Sequence, residues 1–338
     1  MREIKISEIE AGQRLTKLLE KYMEAAPKSF FYKMLRKKNI TLNDKKAEGN
    51  ERLVAGDSVK LYLAEDTILK FQKNGAAAEV ETAAKTSEKI EKNRKQEKKV
   101  TLEIIYEDKH ILVINKPAGM LSQKAKPDDV SLIEYMTEYL LEKGDITKEQ
   151  LQYFRPGICN RLDRNTSGII VAGKTLEGLQ KMGELFRERT MDKYYFCVVK
   201  GSVEKKQLIE GWLYKNHSHN KVTISKEEKE GSEYIKTEYE PVKKDEDFTL
   251  LKVKLITGRS HQIRAHLESI GHPIVGDGKY GDVRVNKYFK KTYQLKHQLL
   301  HAAELWMPRL EGEFSGISEK VFQAPLPDYF DEIIKGEF

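Results

Sequence analysis

The apolar positions divide the chain into a short patterned head, a stretch without pattern and a long patterned remainder. Leu15, Leu18 and Leu19 share one face of a helix that begins near Arg14. Residues 29–38 read as a second helix, with Ser29 as N-cap and Arg36, Lys37 and Lys38 at its C-terminal end. Residues 40–43 and 59–63 read as strands, with Asn43-Asp44 as a turn. From about Asp66 to Lys99 the pattern fails. Alanines alternate with Lys and Glu, and residues 89–99 are almost entirely charged, as in a flexible tether.

Pattern resumes with strands at 102–106 and 111–114 and a helix at 131–141 carrying Leu132, Met136, Leu140 and Leu141 on one face. The β-branched run Ile169-Ile170-Val171-Ala172 reads as a buried strand. Residues 175–189 have helical spacing of Leu176, Leu179, Met182, Leu185 and Phe186. The strand at 193–199 puts Lys193, Tyr195, Cys197 and Val199 on one face. Residues 205–256 are strand-rich, with the charged interval 226–230 as a hairpin tip. Thr257-Gly258 turns into a helix, residues 299–302 form a core strand, and Leu326-Pro327 opens a last helix.

A chain of 338 residues suits a large domain plus a small one, and 39% hydrophobic residues suffice for a packed core. No run reaches the roughly eighteen apolar residues of a membrane helix. Met1-Arg2-Glu3-Ile4-Lys5 carries no signal-peptide core. Cys159 and Cys197 are the two cysteines and make no Cys-x-x-Cys pair, so they read as small core residues. His217 and His219, and His261 and His266, lack a third ligand pattern. The expectation is a cytoplasmic, reduced protein without metal. The net charge of +7 is modest, and its distribution says more. Between positions 28 and 46, Lys28, Lys33, Arg36, Lys37, Lys38, Lys45 and Lys46 face one acid, Asp44. Together with Arg14, that cluster suits a phosphate backbone; Lys37 and Lys38 alone would fit a solvated helix end.

The chemistry centres on Asn160-Arg161-Leu162-Asp163-Arg164-Asn165-Thr166-Ser167-Gly168. Asp163 lies between two arginines, in a loop just before a core strand. Cations favour the ionised form of a carboxylate and so keep a potential nucleophile charged. Taken alone, Asp163 would be a turn residue paired with an arginine.

The nine residues resemble the central motif of the RluA-type pseudouridine synthases, His-Arg-Leu-Asp-x-x-Thr-Ser-Gly, with Asn160 at the place of the usual histidine. Other stretches resemble further motifs of the same family in the same order. Asn115-Lys116-Pro117-Ala118-Gly119 follows a strand. Lys193 and Tyr195 fit Lys-x-Tyr, and residues 258–264 fit Gly-Arg-x-His-Gln-Ile-Arg. His272-Pro273-Ile274-Val275-Gly276-Asp277 and Tyr280-Gly281 continue the likeness. The head resembles an S4 RNA-binding domain.

The resemblance implies an α+β fold: a mixed, largely antiparallel sheet with a central catalytic cleft at 100–338, a charged linker at 66–99 and a small S4-like α/β domain at 1–65. It implies isomerisation of uridine to pseudouridine in RNA, without cofactor or metal. Asp163 would attack the target nucleotide, or open a glycal route as a base. Tyr195 would pack against the base and is a candidate for moving a proton, and Arg264 would pair with Asp163. Arg161 would fill the place of the flipped base. Lys193, Arg14, Lys33, Arg36, Lys37, Lys38 and Lys45 would contact RNA. Large-subunit ribosomal RNA is the leading substrate and transfer RNA the second; a monomer is the default. Two rivals stand beside this reading. A non-catalytic ribosome-assembly factor would keep the fold, and a glycoside hydrolase would need a second positioned carboxylate.

Overall fold

The computed structural model describes residues 1–72, 101–216 and 221–338. His217, His219 and the residues expected as a tether from 73 to 99 lie outside the described residues. The head contains β1 (Arg2–Lys5), α1 (Leu15–Tyr22), α2 (Lys28–Arg36), β2 (Ile40–Leu42), β3 (Lys45–Lys46), β4 (Ser58–Leu61) and α3 (Glu65–Phe71). Its sheet runs β1-β4-β2-β3. Leu42 pairs with Lys45, leaving the two-residue loop Asn43-Asp44 with φ of 51° and 61°. Asn and Asp tolerate that left-handed geometry, which a tight hairpin demands.

Two local expectations need correction. α2 begins at Lys28 with Pro27 as its N-cap, so Ser29 sits inside the first turn. The fixed φ of proline sets the entry there, and its carbonyl accepts from Phe30 N at 2.9 Å. The ordered head also runs past residue 65. Ile68 is fully buried, and the Phe71 ring lies 4.7 Å from Phe30, so α3 closes the small core. The head rests on the rest of the chain through Tyr153, which joins its core, and through Leu176 N donating to Ile9 O at 3.1 Å.

The larger part contains β5 (Glu103–Glu107), β6 (Ile111–Lys116), α4 (Leu132–Lys143), β7 (Gly157–Ile158), β8 (Ser167–Gly173), α5 (Leu176–Glu188), β9 (Asp192–Lys200), β10 (Gln207–Asn216), β11 (Lys221–Ser225), β12 (Glu233–Lys244), β13 (Phe248–Leu255), α6 (Gln262–Ser269), α7 (Val283–Tyr293), β14 (Leu300–Trp306), β15 (Val321–Gln323) and α8 (Asp328–Glu337). Among the described residues one sheet runs β11-β10-β12-β13-β9-β14-β8-β6-β5, with β15 on β14 and β7 on β8. Every pairing is antiparallel except β14 with β8. The fold is therefore α+β with a mixed, largely antiparallel sheet. β11 pairs with β10 rather than β12, so residues 226–232 cross past β10 and are not a hairpin tip. Leu213 of β10 and Val222 of β11 are buried in one cluster on the same side of that pair.

β6 and β8 are buried along their whole length, because α4 packs on one face and α5 on the other. α4 opens with a capping box, in which Ser131 and Glu134 satisfy each other's backbone N–H. The single parallel seam, β8 with β14, lies at the middle of the sheet. The loop that enters β8 carries Asp163. Among the described residues no helix is long and apolar enough to cross a membrane.

Candidate active site

The loop leading into β8 is fixed from three directions. From β8 itself, Asn160 donates to Ile169 O at 3.1 Å and accepts from Val171 N at 2.8 Å. Both ends of its carboxamide are used, so Asn160 braces the loop where the family motif usually has histidine. From the loop after β6, Ser122 Oγ donates to Leu162 O at 2.7 Å, and Gly119 N donates to Arg164 O at 2.8 Å. The third support lies around β14. Gln298 Nε2 donates to Thr166 Oγ1 at 2.8 Å, and Ser167 Oγ lies 2.9 Å from His301 Nδ1. Gly168, at φ 112°, lies so close to Ala302 that a Cβ would fall 2.2 Å from its carbonyl oxygen. Glycine is required there on both counts. Each small or polar residue of Thr166-Ser167-Gly168 thus has a contact that explains it.

Lys116 was not among the expected site residues, yet it is fully buried beneath this loop. Its ammonium donates to Pro117 O at 2.8 Å, Met120 O at 2.9 Å and Arg164 O at 3.2 Å. Burial pulls it down to about 7, while the nearby Asp163 acts in the opposite direction.

Asp163 faces a cavity of about 570 Å³, large enough for a flipped-out nucleotide. Tyr195 from β9, Arg264 from α6, Arg161 and Lys193 line the same cavity. The three expected catalytic residues, from three distant segments, are therefore together. Arg264 Nη1 donates to Asp163 Oδ2 at 2.5 Å. The other edge of its guanidinium forks onto Asp277, with Nε to Oδ2 at 2.7 Å and Nη2 to Oδ1 at 2.9 Å. The Asp277 side chain is 0% exposed. Burial pushes its carboxyl up, but Arg264 and the amides of Lys279 and Tyr280 outweigh that and hold it below the usual range. Arginine suits this place because one planar fork can bind two carboxylates at once. Asp163 keeps 26% of its side chain exposed, and no described residue donates to its Oδ1.

Burial, and secondarily Asp163, raise Tyr195 well above an ordinary phenol. It is a proton-bearing wall of the cavity rather than a ready base. Burial lowers Lys193, and Arg189 adds to that shift. Cys159 also borders the cavity, but burial pushes its thiol up to about 12, which leaves no thiolate at neutral pH. Asp163 is the one acid among the described residues lining the cavity. A glycosidase pair of carboxylates has no counterpart there.

Arg187, Arg189 and Arg259 line the cavity too, and the sequence reading missed them. Arg187 and Arg189 lie at the end of α5, where a cation reads equally well as a complement to the helix dipole. The basic residues of the head stand apart from the cavity lining. Arg14, Lys33, Arg36, Lys37, Lys38 and Lys45 are all exposed, and none makes an ion pair with a described residue. Among the described residues no group of three or more His, Cys, Asp and Glu is placed to hold a metal.

The family described as RNA pseudouridylate synthase matches residues 110–269, which include the Asp163 loop, Tyr195 and Arg264. Ribosomal large subunit pseudouridine synthase C of Vibrio parahaemolyticus is 30% identical over 305 residues, covering 89% of this chain and 87% of its own. The chain belongs to the RluA-type RNA pseudouridine synthases. It is an isomerase that acts on RNA. The Escherichia coli protein of the same name as the Vibrio relative is 29% identical over 304 residues, with the same coverage of 89% and 87%. The solved structure of human RNA pseudouridylate synthase domain containing 4 has a TM-score of 0.55 at 21% identity, over 69% of this chain and 92% of that one. That likeness concerns the fold alone. For a pseudouridine synthase, a single carboxylate in a cation-lined cavity is a coherent set of parts.

Proposed function

We propose that this protein converts specific uridines of large-subunit ribosomal RNA to pseudouridine, with Asp163 as the reacting group. The observation that carries the reading is the Arg264 guanidinium, which holds Asp163 Oδ2 on one edge and a buried second carboxylate on the other, and leaves Oδ1 without a donor among the described residues. The names of the relatives support the choice of RNA. The target uridine leaves its stack and enters the cavity, and Arg161 takes its place in the helix. Asp163 Oδ1 either bonds to the sugar carbon, releasing the base with its electron pair, or removes the neighbouring sugar proton to open a glycal. The base turns and bonds back through carbon, which breaks the Asp163–sugar bond or, on the glycal route, goes with return of the sugar proton from Asp163; the proton on that base carbon is then lost and one is taken up on the nitrogen that left the sugar. Tyr195 forms the wall against which the base turns. Lys193 and the cavity arginines offset the charge of phosphate and departing base. No step draws on a cofactor.

The test is pseudouridine mapping of total RNA from cells with and without the gene. Sites lost from large-subunit ribosomal RNA in the deletion, and restored by the wild-type gene, are the expected result. Losses confined to transfer RNA would overturn the choice of substrate. If no site changes, and the purified protein also leaves ribosomal RNA unmodified, the catalytic reading fails in favour of a binding factor.

The head supplies affinity rather than sequence discrimination, as an S4-like surface of unpaired cations would. Replacing Lys33, Arg36, Lys37 and Lys38 together by Gln should weaken RNA binding and flatten its dependence on salt. Each lost phosphate contact lowers the log–log slope by about 0.7 to 0.9. An unchanged slope would remove this face from the RNA interface.

A further inference from the structure

Arg264 has a neighbour that the proposed mechanism leaves idle. His261 borders the cavity one residue before α6, with its Nε2 3.9 Å from Asp163 Oδ2. We infer that His261 is a second positioning residue for the reacting carboxylate, donating from Nε2–H to Asp163 beside Arg264. This inference rests on the role of Asp163 proposed above.

The proton on Nε2 follows from the partners of Tyr280. The Tyr280 hydroxyl oxygen accepts from Val222 N at 2.9 Å. Its hydrogen then needs an acceptor, and His261 Nδ1 lies 3.0 Å away. A phenol donating to Nδ1 leaves the ring's proton on Nε2, the atom turned toward Asp163. Burial lowers His261 below an ordinary histidine, so the ring is a neutral donor. Tyr280 is itself held in place, 4% exposed, with the Arg264 guanidinium 5.1 Å above its ring. One tyrosine therefore seats both groups that point at Asp163 Oδ2.

His261 has φ 57°, in the left-handed region that histidine enters more readily than most side chains; it sits as the N-cap of α6, on the cavity lining. At 3.9 Å the contact is longer than a hydrogen bond; catalytic contacts are often long before substrate binds and tighten when the site closes. With both donors on Oδ2, Oδ1 is the oxygen presented to the nucleotide.

The experiment compares wild type with Asp163→Asn, His261→Ala, His261→Asn, His261→Gln and Tyr280→Phe. The substrate is a ribosomal RNA transcript carrying a mapped site. Single-turnover rate, RNA dissociation constant and Tm are read for each. His261→Ala should lose rate about 10- to 100-fold, the scale of a mispositioned reacting group, with RNA affinity within about twofold of wild type. Asparagine tolerates the left-handed backbone and can accept from Tyr280, yet it is too short to reach Asp163; it should lose rate as alanine does. Glutamine returns an N–H at the distance of Nε2 and should recover most of the rate. Tyr280→Phe frees the tautomer and should fall between. If His261→Ala keeps the wild-type rate while Asp163→Asn does not turn over, the inference about His261 is overturned and the functional reading stands. Equal losses in His261→Asn and His261→Gln that track Tm would overturn it as well, because they mark a purely structural residue. Absence of turnover in wild type itself would remove the functional reading and this inference together.

Discussion

Asp163→Asn should lower single-turnover pseudouridine formation by at least about 10³-fold while leaving the fold and RNA affinity close to wild type. A carboxamide neither bonds usefully to the sugar carbon nor takes a proton from it, so both routes stop at the first step. The fold has little reason to respond. Asp163 is 26% exposed on its side chain, and its oxygen partner Arg264 keeps the bidentate grip of Asp277. Around that arginine stand two carboxylates and one cation, so removing one negative charge leaves a matched pair. An asparagine oxygen can still accept from Nη1 at the place of Oδ2. The stability change is expected within about 1 kcal/mol. Any change in affinity should be a small gain, since a negative charge leaves the cavity proposed to take the RNA. Rates come from quenched time courses with excess enzyme, and affinity from filter binding on the same RNA. A variant that turns over at the wild-type rate would remove Asp163 from the chemistry.

Much of the framework is legible from apolar spacing because its elements are long and covered. The helices carrying Leu132, Met136 and Leu140, and Leu176 to Phe186, bury one face against β6 and β8, and period 3.6 reports that directly. α3 escapes the same test. It has seven residues and one fully buried side chain, Ile68, too little for any period to register. The crossing at 226–232 escapes for another reason: a charged turn looks the same whether it joins adjacent strands or passes a third. At the site, a likeness of motifs marked Asp163, Tyr195 and Arg264 and implied that Arg264 pairs with Asp163; apolar spacing alone implied no such meeting, since the two are 101 residues apart. The parts that stayed hidden act through burial. Lys116 is a strand-end lysine in sequence and a fully buried clamp in the fold. Asp277 sits between glycines at the end of a motif likeness that gave it no role, whereas it is the buried anchor of the arginine. Both roles depend on what covers the residue, which comes from other segments of the chain.

That anchor carries the second large expectation. Asp277→Ala should destabilise the protein by about 3–5 kcal/mol, the usual cost of removing one partner of a buried pair. Three things are lost at once. Arg264 keeps only the partly exposed Asp163 for its charge, the amides of Lys279 and Tyr280 lose the acceptor that Asp277 Oδ1 gives them at 2.8 and 3.1 Å, and a small void opens. Asp277→Asn keeps the shape and one acceptor and should lose less, because a neutral oxygen still takes one arm of the fork. The effect on rate follows from geometry. With Nε and Nη2 released, the guanidinium can turn, and the Asp163 carboxylate turns with it; displacement by about 1 Å costs on the order of 10²-fold. The two effects separate when activity is measured well below the variant's Tm and scaled to the folded fraction from urea unfolding. A rate that recovers fully after that correction would make Asp277 a stabilising residue alone. A rate that stays low in Asp277→Ala, with Asp277→Asn between it and wild type, would mean that the buried carboxylate aims the exposed one through Arg264.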